Sequence, residues 1–383
     1  MLNKLKRMDL GVISIMAVFM VLSTLFVRSA IAPTPKFTGY DIKTILFFVI
    51  GFIVMFAMAY TDYRALLKKS WYLYAIGVIL LVLVFVAGAK INGARGWFVL
   101  PGGIQFQPAE MVKIVIILTT ACQLGKRFGA PLQFRKDVLP IASQVLLPFL
   151  LVLIEPDLGN AIIYLVILVG MLWIGNMKYR HVMIGMTVIV ALLIAVVALF
   201  TAFNEPIKEY LTSHNKLHWY QRINTFVDPG NASKDDKHQS EYARIAIGSG
   251  GMTGDGYMNG ALKNKKFVPY PYSDSIFVVV GEEFGFIGGS VLLLLYFLLI
   301  YRMIIIALDC YDRRGAYIIV GIITMFVFQI FQNVGMMIGL MPITGITLPF
   351  ISYGGTSLLL NMLSIGIVLS IKVHQEKYEV KTD

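Results

Sequence analysis

Ten apolar stretches, each close to the length that crosses a bilayer, dominate this sequence: about 10–29, 43–60, 71–89, 108–123, 138–154, 158–176, 181–203, 276–307, 315–340 and 348–371. A helix rises about 1.5 Å per residue, so roughly 20 apolar residues span the hydrocarbon core. Composition agrees, with 57% of the 383 residues hydrophobic and 14% charged, where a soluble domain carries about 25% charged. A soluble enzyme and a disordered chain are excluded. Cys122 and Cys310 stand at the ends of different apolar runs, so no disulfide framework or zinc site is implied. The expected architecture is an all-α polytopic membrane protein of ten transmembrane helices, a single integral membrane domain over 1–383. The 108–123 run is short and contains Glu110 and Lys113. The 276–307 run is longer than a bilayer needs and is expected to tilt or project. Segment 1–9 and the first run lack a small-residue cleavage site, and read as an uncleaved first span.

The net charge of +11 would suit nucleic acid, but its positions indicate membrane topology. Eighteen Lys and Arg fall in or beside the short loops on the side of the N-terminus. The opposite short loops hold only Arg28, Lys36, Lys43, Lys90 and Arg95. The positive-inside rule then places both termini in the cytoplasm and segment 204–275 outside. No nucleic-acid partner is expected.

The outside loops are the chemically informative ones. Segment 90–107 alternates around Pro101-Gly102-Gly103, the pattern of a small hairpin. In the Glu-Pro-Asp turn at 155–157, Asp157 is placed to cap the sixth span. Segment 204–275 is a long loop whose apolar positions (Tyr242, Ile245, Ile247, Met252, Phe267, Val268, Tyr270) argue for a folded extracellular cap over an outer-face cavity. Its Gly-rich run 248–260 fits neither a dinucleotide fingerprint nor a Walker A loop. Flexible turns or a backbone cradle for phosphate remain open there. His214 and His218 lack the Glu of an HExxH zinc motif.

Ionisable side chains within spans are costly and mark function unless they pair. Glu110 and Lys113 share a helix face, either as a packing ion pair or as working groups. Arg95 in the hairpin is a planar donor suited to phosphate or carboxylate. Asp274 opens the eighth span, where a helix cap is the bland alternative to chemistry. Glu282 and Glu283 lie about 100° apart on that helix, and are not expected to face one groove. Gly281, Gly285 and Gly289 repeat every four residues, a close-packing stripe. Pro342, Gly345, Pro349, Gly354 and Gly355 break the chain before the last span. Irregular backbone at that depth is tolerated only where protein buries it or it lines a cavity.

Five stretches run in a recognisable order: GARGWFVLPGGIQFQPAEMVK (93–113), EPDLG (155–159), RIAIGSGGMTGDG (244–256), SDSIFVVVGEEFGFIGG (273–289) and PITGITLPFISYGGTS (342–357). With the ten-run pattern they resemble the SEDS family (shape, elongation, division and sporulation), the RodA/FtsW-like cell-wall polymerases. NVGMMIGLMPITG (333–345) is most similar to the RodA branch. The resemblance implies a peptidoglycan glycosyltransferase in the bacterial plasma membrane. It would polymerise lipid II on the outer face, for elongation and rod shape, with a class B penicillin-binding protein as partner. The family's essential aspartate matches Asp274, although SDSIF stands where TDFIF is usual, so Ser273 and Ser275 depart from the pattern. The family's intramembrane Glu/Lys pair matches Glu110 and Lys113. Asp274 is thus the expected catalytic residue, a general base. Lys113, Glu110, Arg95, Asp157, Glu282 and Ser352 are the expected substrate-binding or supporting residues. A helix N-terminus and a nearby Lys both lower an Asp pKa, which opposes a base and leaves open a divalent cation (Mg2+ or Mn2+) held by Asp274. Broken helices and an intramembrane ion pair also fit a lipid flippase or transporter. A non-catalytic scaffold is the third reading.

Overall fold

The computed structural model describes residues 7–91, 94–100, 104–127, 129–155, 157–213, 220 and 234–375. A helix lies over each of the ten apolar runs. In chain order they are α1 (Leu10–Ile31), α2 (Tyr40–Tyr60), α3 (Tyr63–Ala87), α4 (Pro108–Gly125), α5 (Leu139–Ile154), α6 (Leu158–Ile174) and α7 (Tyr179–Ala202). After α8 (Asn204–Ser213), α9 (Lys234–Ser249) and the short α10 (Ala261–Asn264) come α11 (Ile276–Leu308), α12 (Arg313–Met337) and α13 (Gly355–Val373). Among the described residues, eight of these helices are long and apolar enough to cross a membrane: α1 to α5 and α11 to α13.

The short run with two charges becomes the central helix. In α4, 78% of the apolar stretch is buried inside the protein, against 22% in α3. Helices α3, α6 and α12 pack around it. Its charges are therefore shielded from lipid by protein, which is why a low-hydropathy helix is tolerated there.

The all-α expectation needs a small sheet added. The expected hairpin pairs β2 (Ala94–Leu100) with β3 (Ile104–Phe106) on either side of 101–103, and β1 (Ala89–Ile91) extends it to a three-stranded antiparallel sheet. Register pairs Lys90 with Arg95 and Phe98 with Phe106. Segment 204–275 is also more regular than expected, since α8, α9 and α10 fall within it.

The long run at 276–307 accommodates its length by breaking. At Gly285 the backbone turns to φ 62° and ψ −160°, which costs the Glu282 and Glu283 carbonyls their donors, the Phe286 and Ile287 N–H groups. The Gly-rich loop supplies a partner for each of these four groups. Asp255 N–H donates to Glu282 O (3.0 Å) and Gly256 N–H to Glu283 O (3.0 Å). Phe286 N–H donates to Gly251 O (2.9 Å) and Ile287 N–H to Met252 O (3.1 Å). Buried backbone groups must find partners, so this run is a structural insert into α11. Its Asp255 and Gly256 N–H groups, used in this way, are not free to cradle phosphate. The stripe of glycines likewise serves this insert and α9, since a Cβ on Gly281 would press on Ile247 at 2.9 Å.

Gly254 shows how tight the insert is: its φ is +79°, and a Cβ there would stand 2.2 Å from Glu283 O. Gly251 has φ +50° with open space around it. Gly254→Ala is expected to cost about 2–4 kcal/mol and Gly251→Ala only about 1 kcal/mol. Melting temperatures of the two variants in detergent check the order.

At the opposite end, Asp9 ties three helices together. Its carboxylate accepts from Arg302 Nη2 (2.8 Å) and Lys372 Nζ (2.7 Å), and caps α1 through Val12 N–H (3.0 Å). Burial would raise its pKa, but the hydrogen bonds from Lys372 and Arg302 outweigh that and hold it below the usual value.

Candidate active site

Two groups of polar side chains gather at the end of the bundle that carries the sheet. The first surrounds the start of α4. Pro108 opens that helix, where a missing N–H is harmless, and Glu110 and Lys113 follow one turn apart. Both are buried, and Lys113 Nζ lies 2.7 Å from Glu110 Oε2. Ser357, in the first turn of α13, donates to the same oxygen at 3.4 Å. Thr356 donates to Gln105 O (2.8 Å) and so ties α13 to β3.

Asp157 belongs to this group and caps α6 as the sequence suggests. Its carboxylate accepts from Asn160 N–H (3.1 Å), Asn160 Nδ2 (2.8 Å) and Gln107 Nε2 (2.6 Å). Burial raises its pKa; the Asn160 bonds and Lys113 oppose the shift and Glu110 adds to it.

Glu155 is a member that the sequence reading missed. It is 2% exposed, and neither carboxylate oxygen has a hydrogen-bond partner among the described residues. Burial, then the charge of Asp157, pushes its pKa up to about 8. It lies under the sheet, 3.6 Å from where a Cβ on Gly96 would stand. Such a group keeps its proton in the folded protein at pH values where the unfolded chain has lost it. Its contribution to stability is therefore present below the ordinary carboxylate pKa and lost as pH rises toward 8. Glu155→Gln is expected to raise the melting temperature by a few degrees at pH 8 and to leave it unchanged at pH 4. Thermal scans at the two pH values test this.

The second group holds Asp274, in the turn before α11. Ser275 is the residue at the helix cap and makes no side-chain capping bond. The backbone N–H groups of Asp274 itself and of Ser275 favour its charged form, but burial outweighs them and pushes its pKa up to about 6. The expected lowering by a helix end does not prevail, because desolvation of the charged form dominates.

Its backbone is pinned from two sides. Asn333, buried in α12, donates one amide proton to Asp274 O (2.8 Å) and the other to Ile346 O (2.7 Å). Tyr353 N–H donates to Tyr272 O (2.9 Å). An aromatic cluster flanks the turn: Tyr40 stacks on Tyr353 at 4.3 Å between centroids, and Tyr272 meets Phe37 at 4.6 Å.

Among the described residues no side-chain contact joins the Asp274 carboxylate to Glu110, Lys113 or Asp157. The broken segment 342–354 lies between the two groups. A Cβ on Gly159, beside Asp157, would stand 2.7 Å from Ile346 Cγ1, and Ile346 shares Asn333 with Asp274. Polar residues inside an otherwise apolar helix are the signal that would have found Asn333, Gln329 and Gln332.

Three expected supporting residues stand differently. Ser352 Oγ accepts from Leu348 N–H (2.8 Å) and closes the turn between them. Glu282 is fully buried and accepts from Leu262 N–H (2.6 Å) and Lys263 N–H (3.2 Å), away from either group. Glu282 and Glu283 do engage one neighbour, contrary to expectation. Lys263 meets Glu282 with its backbone and reaches Glu283 with its long side chain. Arg95 pairs with Lys90 through the β1–β2 register, and its side chain lies outside the described residues, as do His214 and His218.

Comparison with known proteins gives this arrangement its context. The family model FTSW_RODA_SPOVE, described as "Cell cycle protein", matches residues 4–377. The chain is 32% identical over 374 residues to the peptidoglycan glycosyltransferase MrdB of Escherichia coli K12, covering 97% of this chain and 95% of that one. It is 33% identical over 336 residues to the stage V sporulation protein E of Bacillus subtilis, covering 86% of each. Among solved structures it resembles the Thermus thermophilus rod shape determining protein RodA, with a TM-score of 0.68, 27% identity and coverage of 97% of this chain and 98% of that one. A structure titled "Structural coordination of polymerization and crosslinking by a peptidoglycan synthase complex" gives a TM-score of 0.75 at 28% identity, covering 97% of this chain and 99% of that one. With its apolar helices and a family match over nearly its whole length, this chain belongs to the FtsW/RodA/SpoVE family of multi-pass plasma-membrane proteins.

Proposed function

We propose that the chain is a peptidoglycan glycosyltransferase of the RodA branch, polymerising lipid II into glycan strands for cell elongation. In this reading ten helices cross the bilayer, both termini are cytoplasmic, and the sheet and the 204–275 cap lie outside. The observation that carries it is Asp274: a carboxylate raised to about 6 by burial, on a turn pinned by Asn333 and Tyr353. A general base works best with a pKa close to the pH at which it operates.

The chemistry follows from the groups present. The acceptor's 4-hydroxyl oxygen attacks the donor's anomeric carbon from the face opposite the diphosphate. The bond from that carbon to the diphosphate breaks, and the hydroxyl proton passes to Asp274. Charge accumulates on the leaving diphosphate, where Lys113 and Arg95 supply cations. Glu110 orients Lys113 at 2.7 Å, and Asp157 braces α6 and Gln107. Among the described residues no three His, Cys, Asp or Glu side chains come together to hold a metal ion. No step described here is routed through a metal ion. A class B penicillin-binding protein is the proposed partner, supported by the likeness to a synthase complex described as coordinating polymerization and crosslinking.

The test uses purified protein, with and without a class B partner, incubated with labelled lipid II and resolved on a gel. Long glycan from wild type and none from Asp274→Ala, both folded, is the expected result. Absence of polymer under every partner and metal condition, with lipid II crossing liposome leaflets instead, would replace this reading with a flippase.

A further inference from the structure

The turn bearing Asp274 is closed at its base by a buried cluster that the proposed chemistry does not use. The chain leaves α10 at Asn264, passes through Asp274 and returns in α11, where Glu282 and Glu283 come back against Leu262 and Lys263. Glu282 accepts the N–H groups of both residues, at 2.6 and 3.2 Å. Lys263 Nζ forms an ion pair with Glu283 Oε1 and donates to Ser29 Oγ of α1 at 2.7 Å. Ser29 Oγ in turn lies 2.6 and 2.7 Å from the two Glu283 oxygens and donates to that carboxylate. Ser29 and Glu282 are fully buried, and Lys263 and Glu283 are each 1% exposed.

Three charged side chains buried together are an expensive way to fasten a loop, since apolar packing of equal volume is often as stable. What the ion pair adds is geometry, because Lys263, Glu283 and Ser29 each contact the other two and so fix one another in place. Both Glu residues also sit immediately before the break at Gly285. Their carbonyls receive the Gly-rich insert while their side chains hold α10. The far side of the same turn is held by Asn333 and Tyr353.

We infer that Lys263 and Glu283, with Ser29 and Glu282, are positioning residues that hold the Asp274 turn in its working place. The inference rests on the role proposed above for Asp274, so its test has a readout independent of polymerisation. Hydrogen–deuterium exchange is followed in residues 264–275 of the full chain in detergent, beside kcat and KM for lipid II. Three variants are compared with wild type: Lys263→Met, Glu283→Gln and the double Lys263→Met/Glu283→Gln, whose buried charges are both removed.

Each single variant is expected to speed exchange in 264–275 about tenfold, with α4 and α12 unchanged, and to lower kcat more than it raises KM. The double variant is expected to return exchange to within about threefold of wild type and to recover much of kcat. Wild-type exchange in either single variant, or a double variant as loose as the singles, would overturn the inference. If a single variant does not fold, the double variant still decides: fast exchange in 264–275 from a folded double variant refutes the staple. An Asp274→Asn chain with wild-type turnover and an ordered 264–275 would instead remove the proposed chemistry and leave the exchange result to judge the staple.

Discussion

Asp274→Asn is expected to slow glycan polymerisation by about 10²–10⁴-fold while leaving the protein at least as stable as wild type at pH 7.5. The substitution keeps shape and removes the proton acceptor. The stability half follows from the direction of the shift. A carboxyl whose folded pKa is raised, here to about 6, adds stability that is complete below the ordinary carboxylate pKa and is lost as pH rises through 6. Above that pH the buried charge is a cost, and asparagine removes it. Loss of activity with a retained or higher melting temperature therefore separates chemistry from folding. Wild-type turnover should rise about tenfold per pH unit below pH 6 and level off above it, and the residual rate of Asp274→Asn should lack that step. A wild-type profile that is flat from pH 5 to 7.5 would remove Asp274 as the base. Recovery of Asp274→Asn activity at raised Mg2+ or Mn2+ would favour a cation-holding role in its place.

Breaking the Glu110–Lys113 pair is expected to have the largest effect on stability. Lys113 is 1% exposed and Glu110 9% exposed, with 2.7 Å between their charged atoms. Glu110→Gln strands a cation inside the bundle and Lys113→Met strands an anion, each at a cost of about 3–5 kcal/mol. The double variant Glu110→Gln/Lys113→Met leaves no unpaired charge and should regain most of that stability. It should not regain polymerisation, because the cation at the diphosphate is gone. Melting temperature and glycan yield, measured on all three variants, separate the two roles. A double variant that is both stable and active would reduce the pair to packing.

The site was partly legible in the sequence because charges inside apolar helices are conspicuous. Glu110 and Lys113 stand out for that reason and Asp157 as a helix cap, and the structure brings these three together. Asp274 stands out by the family resemblance, its place at a helix start suggesting only a cap, and the structure puts Ser275 at the cap position. Glu155 was hidden in a turn where a carboxylate looks solvated. Its burial comes from the sheet folding over it, a contact between segments about 60 residues apart in the chain. Asn333 is visible as a polar residue in an apolar helix, but its role is not, because its two acceptors come from segments on either side of it in sequence. The neighbours that Glu282 meets were not legible, because periodicity gives the direction of a side chain and not the identity of the group it meets.

Hydropathy alone determined the class of molecule, the place of nearly every membrane-length helix and the end of the bundle at which polar groups gather. It could do so because burying apolar length in a bilayer is a local property, summed over about 20 residues. The tertiary structure decided what each polar group does. The break in α11 at Gly285 is stable only because the loop 250–256 supplies partners for the four backbone groups it frees, and nothing within 276–308 encodes that partner. The same holds for Lys263 with Glu283 and Ser29. Hydrogen bonds and ion pairs act over about 3 Å and join residues of any separation; which of them form is decided only when the chain has folded.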